Sequence, residues 1–129
     1  MKFNSQIATS RSQSERLLAL GLKKETADMV YQYLNQWDGW YLHPLEEEEG
    51  IIHTEIPAWS LHRLIEMMPR KVFWEDKWCW LYFGLDGVLY TDLVYKTKDF
   101  SHRCGLYYNV ISAIEWLIKE GYFNKEYLV

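Results

Sequence analysis

Four histidines and two cysteines are the side chains of this sequence best suited to bind a metal or to attack a substrate. Zinc sites need Cys or His ligands paired at short spacing, such as Cys-x2-Cys or His-Glu-x-x-His, and the sequence has neither. We therefore predict no metal and no cofactor. His43 and His53 would meet across a hairpin, and His102 lies close to Cys104 near a predicted helix start, where a thiolate is stabilised. A pocket lined by His43, His53, His102 and Cys104 is one hypothesis, for a small-molecule-binding or hydrolytic protein.

Aromatic residues make up 17% of the chain, with seven Trp and ten Tyr. Trp78, Trp80 and Tyr82 alternate on one face of a predicted strand whose other face is also apolar. A strand apolar on both faces is typical of a central strand covered on both sides, so we predict core packing. The alternative is an exposed platform that stacks sugar rings or unpaired bases, or that binds a protein. The candidate residues for such a surface are Trp59, Trp74, Trp78, Trp80 and Trp116.

Catalytic motifs are missing from the sequence. The aspartates are dispersed, Glu46–Glu49 are consecutive, and there is neither a Gly-rich phosphate loop nor a G-x-S-x-G elbow. The net charge of −4 disfavours a protein whose main partner is a nucleic acid, because that partner needs a basic face. A single-stranded nucleic-acid site would need the following residues gathered beside exposed aromatics: Arg63, Arg70, Lys71, Lys77, Lys96 and Lys98.

Helices that could position these residues are predicted in four places. Ser12–Glu15 resembles a capping box for a first helix that ends at Gly21, and apolar spacing predicts a second helix over 25–36, ended by a turn at Asp38-Gly39. Pro57 and Pro69 bound a helix over 57–68, in which Leu61, Leu64, Ile65 and Met68 form one apolar face. A closing helix spans 102–120 and ends at Gly121.

Strands are predicted over 40–42, 51–56, 72–74, 78–83 and 88–95, because these segments are rich in β-branched and aromatic residues. The acidic run Glu46–Glu49 is interpreted as a hairpin loop, and Asp86-Gly87 as a hairpin turn. We predict an α+β fold: an antiparallel sheet of four or five strands packed against two main helices, with a short N-terminal helical pair. Residues 1–129 form a single domain, with residues 1–11 a flexible or docked arm and 122–129 a tail able to dock on the sheet.

The cellular compartment is inferred from the cysteines and from the absence of long apolar runs. Cys79 and Cys104 are too few for a disulfide framework, and the first residues lack the apolar run of a signal peptide. No apolar segment reaches the roughly 18 residues of a membrane span. We predict a soluble cytoplasmic protein with no membrane association.

Short motifs resemble those of a family of small uncharacterised proteins of gut bacteria and their prophages or mobile elements. The residues that carry the resemblance are T-A-D-M at 26–29, P-A-W-S-L at 57–61 with Met68-Pro69, and the closing helix with Gly121-Tyr122. The resemblance implies an accessory gene of mobile DNA and transfers no catalytic residue. The favoured function is a non-enzymatic interaction protein, acting through an aromatic surface on a protein partner or on a second copy.

Overall fold

The computed structural model describes residues 6–45, 50–52 and 54–129. Within these residues, seven strands and three α-helices form antiparallel sheets with helices beside them, which confirms the predicted α+β class. The strands are divided between a three-stranded and a four-stranded sheet, in place of the predicted single sheet of four or five. The chain divides into two compact units, residues up to Arg63 with Glu126–Val129, and Leu64–Lys125. That residues 1–129 act as a single domain stays a prediction.

The first helix, α1, spans Arg11–Ala19. Its capping box uses Ser10 and Gln13, two residues before the predicted position: the Gln13 N–H donates to Ser10 Oγ (3.2 Å) and the Ser10 N–H to Gln13 Oε1 (2.9 Å). Gly21, with φ of 103°, follows the last turn as predicted. The arm is therefore shorter than residues 1–11, and its first five residues lie outside the described part of the chain.

The predicted helix over 25–36 is wrong, and with it the N-terminal helical pair. Met29–Leu34 form strand β1, the centre of the first sheet, between β2 (Gly39–Pro44) and β3 (Ile56–Ala58). Tyr31 is paired with Leu42 on one side and with Ile56 on the other. Two ladders of backbone hydrogen bonds, made by β-forming residues, outweigh a helical spacing of apolar side chains. Because β1 pairs with both β2 and β3, these three strands form a sheet separate from the four-stranded one.

The strand predicted over 51–56 is also misplaced, because β3 contains only its last residue. Pro57 lies in β3 and does not begin a helix; β3 is at the end of the strand order, where a residue without an N–H is tolerated. Helix α2 spans Leu61–Met67, and Ser60 caps it by accepting the Arg63 N–H at Oγ (3.2 Å). The acidic run Glu46–Glu49 lies outside the described residues.

The T-A-D-M and P-A-W-S-L motifs bond to each other in the first unit. The Trp59 indole N–H donates to Thr26 Oγ1 (2.9 Å), and Asp28 accepts both the backbone N–H (2.8 Å) and the hydroxyl of Ser60. Thr9 from the arm joins them, since its N–H donates to the Trp59 carbonyl (2.9 Å) and its Oγ1 accepts the Trp59 N–H (3.1 Å). The arm is therefore docked at Thr9, and the two motifs are structural.

The second sheet is the predicted antiparallel meander. Its strands are β4 (Lys71–Trp74), β5 (Lys77–Phe83), β6 (Val88–Thr91) and β7 (Thr97–Phe100), in that order. The strand predicted over 88–95 is cut short because Asp92 Oδ1 accepts three N–H groups, from Val94, Tyr95 and Lys96, all at 2.9 Å. That turn reverses the chain into β7, which sequence reasoning missed.

Helix α3 spans Leu106–Lys119, within the predicted 102–120, and Gly121 follows it with φ of 78°. It packs against β6 and β7. Its Trp116 ring contacts the rings of Trp74 (5.8 Å between centroids), Tyr90 (5.9 Å) and Phe100 (5.9 Å). These aromatics form the core on one face of the sheet.

The C-terminal tail docks on the sheet at Tyr122, as predicted, but its last residues dock on the segment around Leu22, outside the named strands. In the second unit the Tyr122 hydroxyl donates to the Phe73 carbonyl of β4 (2.8 Å). In the first unit the Lys23 N–H donates to the Tyr127 carbonyl (2.9 Å) and the Val129 N–H to the Gly21 carbonyl (2.8 Å). The last residues therefore complete a unit that begins near the other end of the sequence.

Candidate binding surface

The predicted histidine and cysteine pocket is only partly described. His43 lies in β2 of the first unit, paired in register with Val30, and His53 lies outside the described residues. Among the described strands β2 and β3 are not neighbours, because β1 lies between them, and the predicted meeting of His43 with His53 lies partly outside the described residues. In the second unit His102 and Cys104 are exposed neighbours, with the Cys104 N–H donating to His102 Nδ1 (3.2 Å). The described residues contain no group of three side chains able to hold a metal ion.

The five candidate tryptophans fall into three environments. Trp59 is completely buried in the first unit, so its assignment to a binding surface is wrong. Trp74 and Trp116 are half-buried and pack edge-on against each other at the core of the second unit. Trp78 and Trp80 are 49% and 47% exposed. Only this last pair fits the predicted surface.

Strand β5 is covered on one side, so the predicted burial on both sides is wrong. Cys79 is completely buried on the face that α3 covers, where burial raises the pKa of its thiol. The other face carries Trp78, Trp80 and Tyr82, the last 41% exposed. A single helix packs on a single face of a sheet, which is why the apolar pattern of β5 did not lead to burial.

The exposed side of this sheet is named here the aromatic face: Phe73, Trp78, Trp80 and Tyr82, with Lys71 and Asp99 at its margins. The register pairs Phe73 on β4 with Trp78 on β5, and their rings are 5.3 Å apart at 56°. Phe73 is 49% exposed. Since directly paired residues point to the same side of a sheet, the four rings form one continuous apolar surface.

Opposite charges lie at opposite margins of the aromatic face. Lys71 on β4 pairs with Trp80, and its Nζ is 4.7 Å from the centre of the Trp78 ring, a cation–π contact. At the other edge Asp99 on β7 pairs with Leu89, which in turn pairs with Tyr82. Lys71 and Asp99 are both exposed. One lysine therefore lies at the β4 margin of the face and one aspartate at its β7 margin.

The turns beside this face hold its strands in register. Glu75 and Asp76, with φ of 49° and 67°, make a two-residue hairpin turn between β4 and β5. Lys96 Nζ bonds to Glu75 Oε2 (2.6 Å), and this carboxylate raises the pKa of the lysine. Hydrogen bonds from the N–H groups of Lys96 and Val94 lower the pKa of Asp92, which keeps that turn acceptor ionised. These contacts stabilise the turns that connect the strands carrying the aromatic rings.

The basic residues needed for a nucleic-acid site are not gathered on this face. Lys71 lies there, but Lys98 is on the opposite face, with its Nζ 5.8 Å from the Phe100 ring and 6.0 Å from the Trp116 ring. Lys96 is paired with Glu75. In the first unit Arg63 donates to the Thr26 carbonyl (2.8 Å) and stacks on Tyr127.

Phe73, Lys71 and Asp99 were not named from the sequence as part of this aromatic surface, whereas Tyr82 was placed on the same strand face as Trp78 and Trp80. A signal for two of them was present: a two-residue turn at Glu75-Asp76 pairs Trp74 with Lys77, which puts Phe73 opposite Trp78 and Lys71 opposite Trp80. Asp99 had no such signal, because β7 was not predicted.

An open, mostly apolar groove of about 420 Å³ lies in the first unit. It is lined by Leu18, Leu22, Lys23, Lys24, Glu25 and Val129. No chemically reactive set of side chains accompanies it in the described part of the chain, so it is secondary to the aromatic face.

Comparison of the chain with protein-family models, with curated proteins and with solved structures finds no match. Among the residues that the structure describes, none of the helices is both long enough and apolar enough to cross a membrane.

Proposed function

We propose that this protein is a non-enzymatic interaction protein that binds a protein partner through the aromatic face. The observation that carries the proposal is the set of four adjacent aromatic side chains, each 41–49% exposed, on the side of the sheet opposite α3. Trp and Tyr dominate the binding energy of protein interfaces because they bury a large area with few rotatable bonds. A charged margin around an apolar centre is the usual arrangement of such interfaces.

The resemblance supports the same proposal at a coarser level, as an accessory protein of phage or mobile-element origin. We place the protein in the cytoplasm within this proposal, because both cysteines, buried Cys79 and exposed Cys104, are free thiols, as a reducing compartment keeps them.

The test is capture of a partner by the purified, tagged protein, compared with two variants. Trp80→Ser removes the central ring of the aromatic face, whereas Tyr95→Ser removes an 86% exposed ring in the turn after β6. We expect the wild type and Tyr95→Ser to retain the same partner, and Trp80→Ser to lose at least tenfold in affinity, since central aromatic anchors contribute about 2 kcal/mol or more.

Equal retention by all three proteins would contradict the proposal. Binding of a short single-stranded oligonucleotide or of an oligosaccharide that depends on Trp80 would also contradict it, because it would assign the aromatic face to a stacking ligand. Circular dichroism of each variant establishes that its fold is intact.

A further inference from the structure

We propose that the partner of the aromatic face is a second copy of this chain, with the two faces stacked about a two-fold axis parallel to the strands. This inference rests on the proposed function and adds the identity of the partner. The result is a four-on-four stranded sandwich in which Lys71 of each copy lies over Asp99 of the other.

The charges at the two margins select this arrangement. A two-fold axis along the strands reverses the strand order between the copies, so that β4 of one lies over β7 of the other. Lys71 then approaches Asp99 twice, once on each side of the dimer. An axis across the strands would lay β4 over β4 and bring two Lys71 side chains together.

The register makes the contact reachable. Lys71, Trp80, Thr91 and Thr97 form one row across the sheet. Asp99 is two residues from Thr97 along β7, a displacement of about 7 Å. The side chain of a lysine spans that distance. Trp78 lies on the other side of this row from Asp99, so to make the contact the Lys71 ammonium leaves the Trp78 ring, whose centre is 4.7 Å away, and turns toward the Tyr82 side of the face. The Asp99 carboxylate accepts a hydrogen bond from the Ser101 hydroxyl (2.9 Å), a neutral partner that leaves its charge available.

Trp80 occupies the centre of this interface. It lies between Lys71 on β4 and Thr91 on β6, with Trp78 and Tyr82 before and after it on the same side of β5. A central aromatic ring with a polar margin is the usual position of an energetic anchor, because the margin excludes water from it.

The area predicts a weak and reversible dimer. Four strands spaced about 4.8 Å apart, the longest extending about 23 Å, cover roughly 900 Å² over the two copies when treated as flat. That is below the standard interface of roughly 1,200–2,000 Å², in the range of transient complexes. We expect a dissociation constant on the order of 10–100 µM.

The experiment is sedimentation equilibrium of the full chain between about 1 and 500 µM, at low and at physiological salt. The wild type is expected to change from the mass of one chain to that of two across this range. Lys71→Glu and Asp99→Lys each place like charges at both contacts, so each variant alone is expected to associate at least tenfold more weakly.

Mixing these two variants is the decisive step. In the mixed pair one contact is the original one between Lys71 and Asp99, and the other joins the two substituted positions with their charges exchanged. Both contacts are then attractive, so the dimer should return to within about threefold of the wild type. Lys24→Glu, the same charge change at an exposed lysine of the first unit, is the control and should not alter the mass.

Three outcomes would overturn self-association: a monomeric wild type at about 500 µM, a dimer that Lys71→Glu and Asp99→Lys do not weaken, or a mixture of folded variants that stays monomeric. The two proposals are distinguishable. If the wild type is monomeric but Trp80→Ser loses a captured protein partner, the second copy is the wrong partner and the proposed function stands; if the wild type is monomeric and Trp80→Ser captures the same proteins equally well, both are wrong.

Discussion

Trp59 and Trp80 have the same side chain but lie in opposite environments, one in the core and one on the surface. Trp59 is fully buried and its indole N–H donates to Thr26 Oγ1 (2.9 Å), whereas Trp80 is 47% exposed on the aromatic face. Trp59 follows Ile56-Pro57-Ala58, and Trp80 follows Trp78-Cys79. The partners of buried Trp59, Thr9 and Thr26, are far away along the chain, so local sequence could not separate an internal tryptophan from a surface one.

The stability of variants at these two positions should therefore differ. Trp59→Phe removes a buried hydrogen bond and leaves a void, so we expect the free energy of unfolding to fall by about 2–3 kcal/mol. Trp80→Phe is the matched control and should change it by less than about 0.5 kcal/mol. Urea denaturation followed by circular dichroism at low protein concentration measures both. Equal losses would contradict the assignment of Trp59 to the core.

The buried hydroxyl of Tyr90 leads to a prediction about how stability depends on pH. Its hydroxyl donates to the Pro69 carbonyl (2.7 Å), and burial raises its pKa far above the ordinary value of a tyrosine, about 10. A raised pKa in the folded state means that its stabilisation is complete below about pH 10 and is lost as pH rises from there toward the folded-state pKa.

We expect Tyr90→Phe to lower stability at about pH 7 by about 1 kcal/mol, through loss of the bond to Pro69. Above about pH 10 the free energy of unfolding of Tyr90→Phe should fall less steeply with pH than that of the wild type, by up to about 1.4 kcal/mol per pH unit. Tyr95→Phe, at an exposed position, is the control. Parallel pH profiles of wild type and Tyr90→Phe would show that Tyr90 is not the buried titrating group.

At the scale of elements, the turn between β5 and β6 depends on one of its two glycines. A Cβ built on Gly87 would lie 1.9 Å from the Phe100 carbonyl oxygen of β7, a contact that the backbone cannot relieve locally. At Gly84 the nearest atom would be 3.8 Å away, an ordinary contact. The same turn therefore contains an indispensable glycine and a replaceable one.

We expect Gly87→Ala to destabilise the protein by about 3 kcal/mol, since β6 or β7 must move, and Gly84→Ala to stay within about 1 kcal/mol of the wild type. Thermal unfolding compares the two alanine variants directly. A Gly87→Ala protein as stable as Gly84→Ala would mean that β7 does not approach this turn as described.

The hairpin turn at Glu75-Asp76 offers a stabilising change. Both residues have positive φ, which costs a residue with a Cβ about 1 kcal/mol and which favours glycine at the second position. Asp76→Gly should raise the melting temperature by a few degrees, while Asp76→Ala, which keeps the strain, should not. A gain from alanine equal to that from glycine would show that strain at Asp76 is not the cause.

Elements with local signals were predictable and those defined by distant partners were not. The turns at Asp38-Gly39 and Asp86-Gly87, the closing helix and three strands of the meander follow from residues adjacent in sequence. Strand β1 does not, because its helical spacing of apolar residues is overridden by pairing with β2 and β3. For the same reason the sequence identified Trp78 and Trp80 as candidates for the binding surface but could not tell that α3 leaves their side of the sheet open.

At the scale of the whole molecule, the first unit is discontinuous in sequence. Residues up to Arg63 and Glu126–Val129 belong to it, and Leu64–Lys125 form the second unit between them. The joining contacts are the hydrogen bonds from Lys23 to Tyr127 and from Val129 to Gly21, together with the Arg63 guanidinium 5.6 Å from the Tyr127 ring. No local sequence pattern predicts this closure.

Deleting residues 126–129 should therefore destabilise the first unit by about 2–3 kcal/mol, because two backbone hydrogen bonds and a cation–π contact are lost. The amides of Lys23 and Trp59 should exchange faster with solvent, which hydrogen exchange measures residue by residue. Val129→Ala is the control, since its side chain is 96% exposed while its backbone bond remains. Unchanged protection at Lys23 and Trp59 after the deletion would contradict the role of the tail.

The discontinuity of the first unit also matters while the chain is being synthesised. At roughly 5–20 residues per second, a ribosome needs roughly 3–12 s to add the second unit after Arg63. Throughout that interval Leu22, which is 1% exposed in the finished protein, lacks its backbone bridge to Leu128. A chaperone that binds apolar segments of nascent chains would act during this interval. Slowly translated codons between β4 and α3 would lengthen the interval.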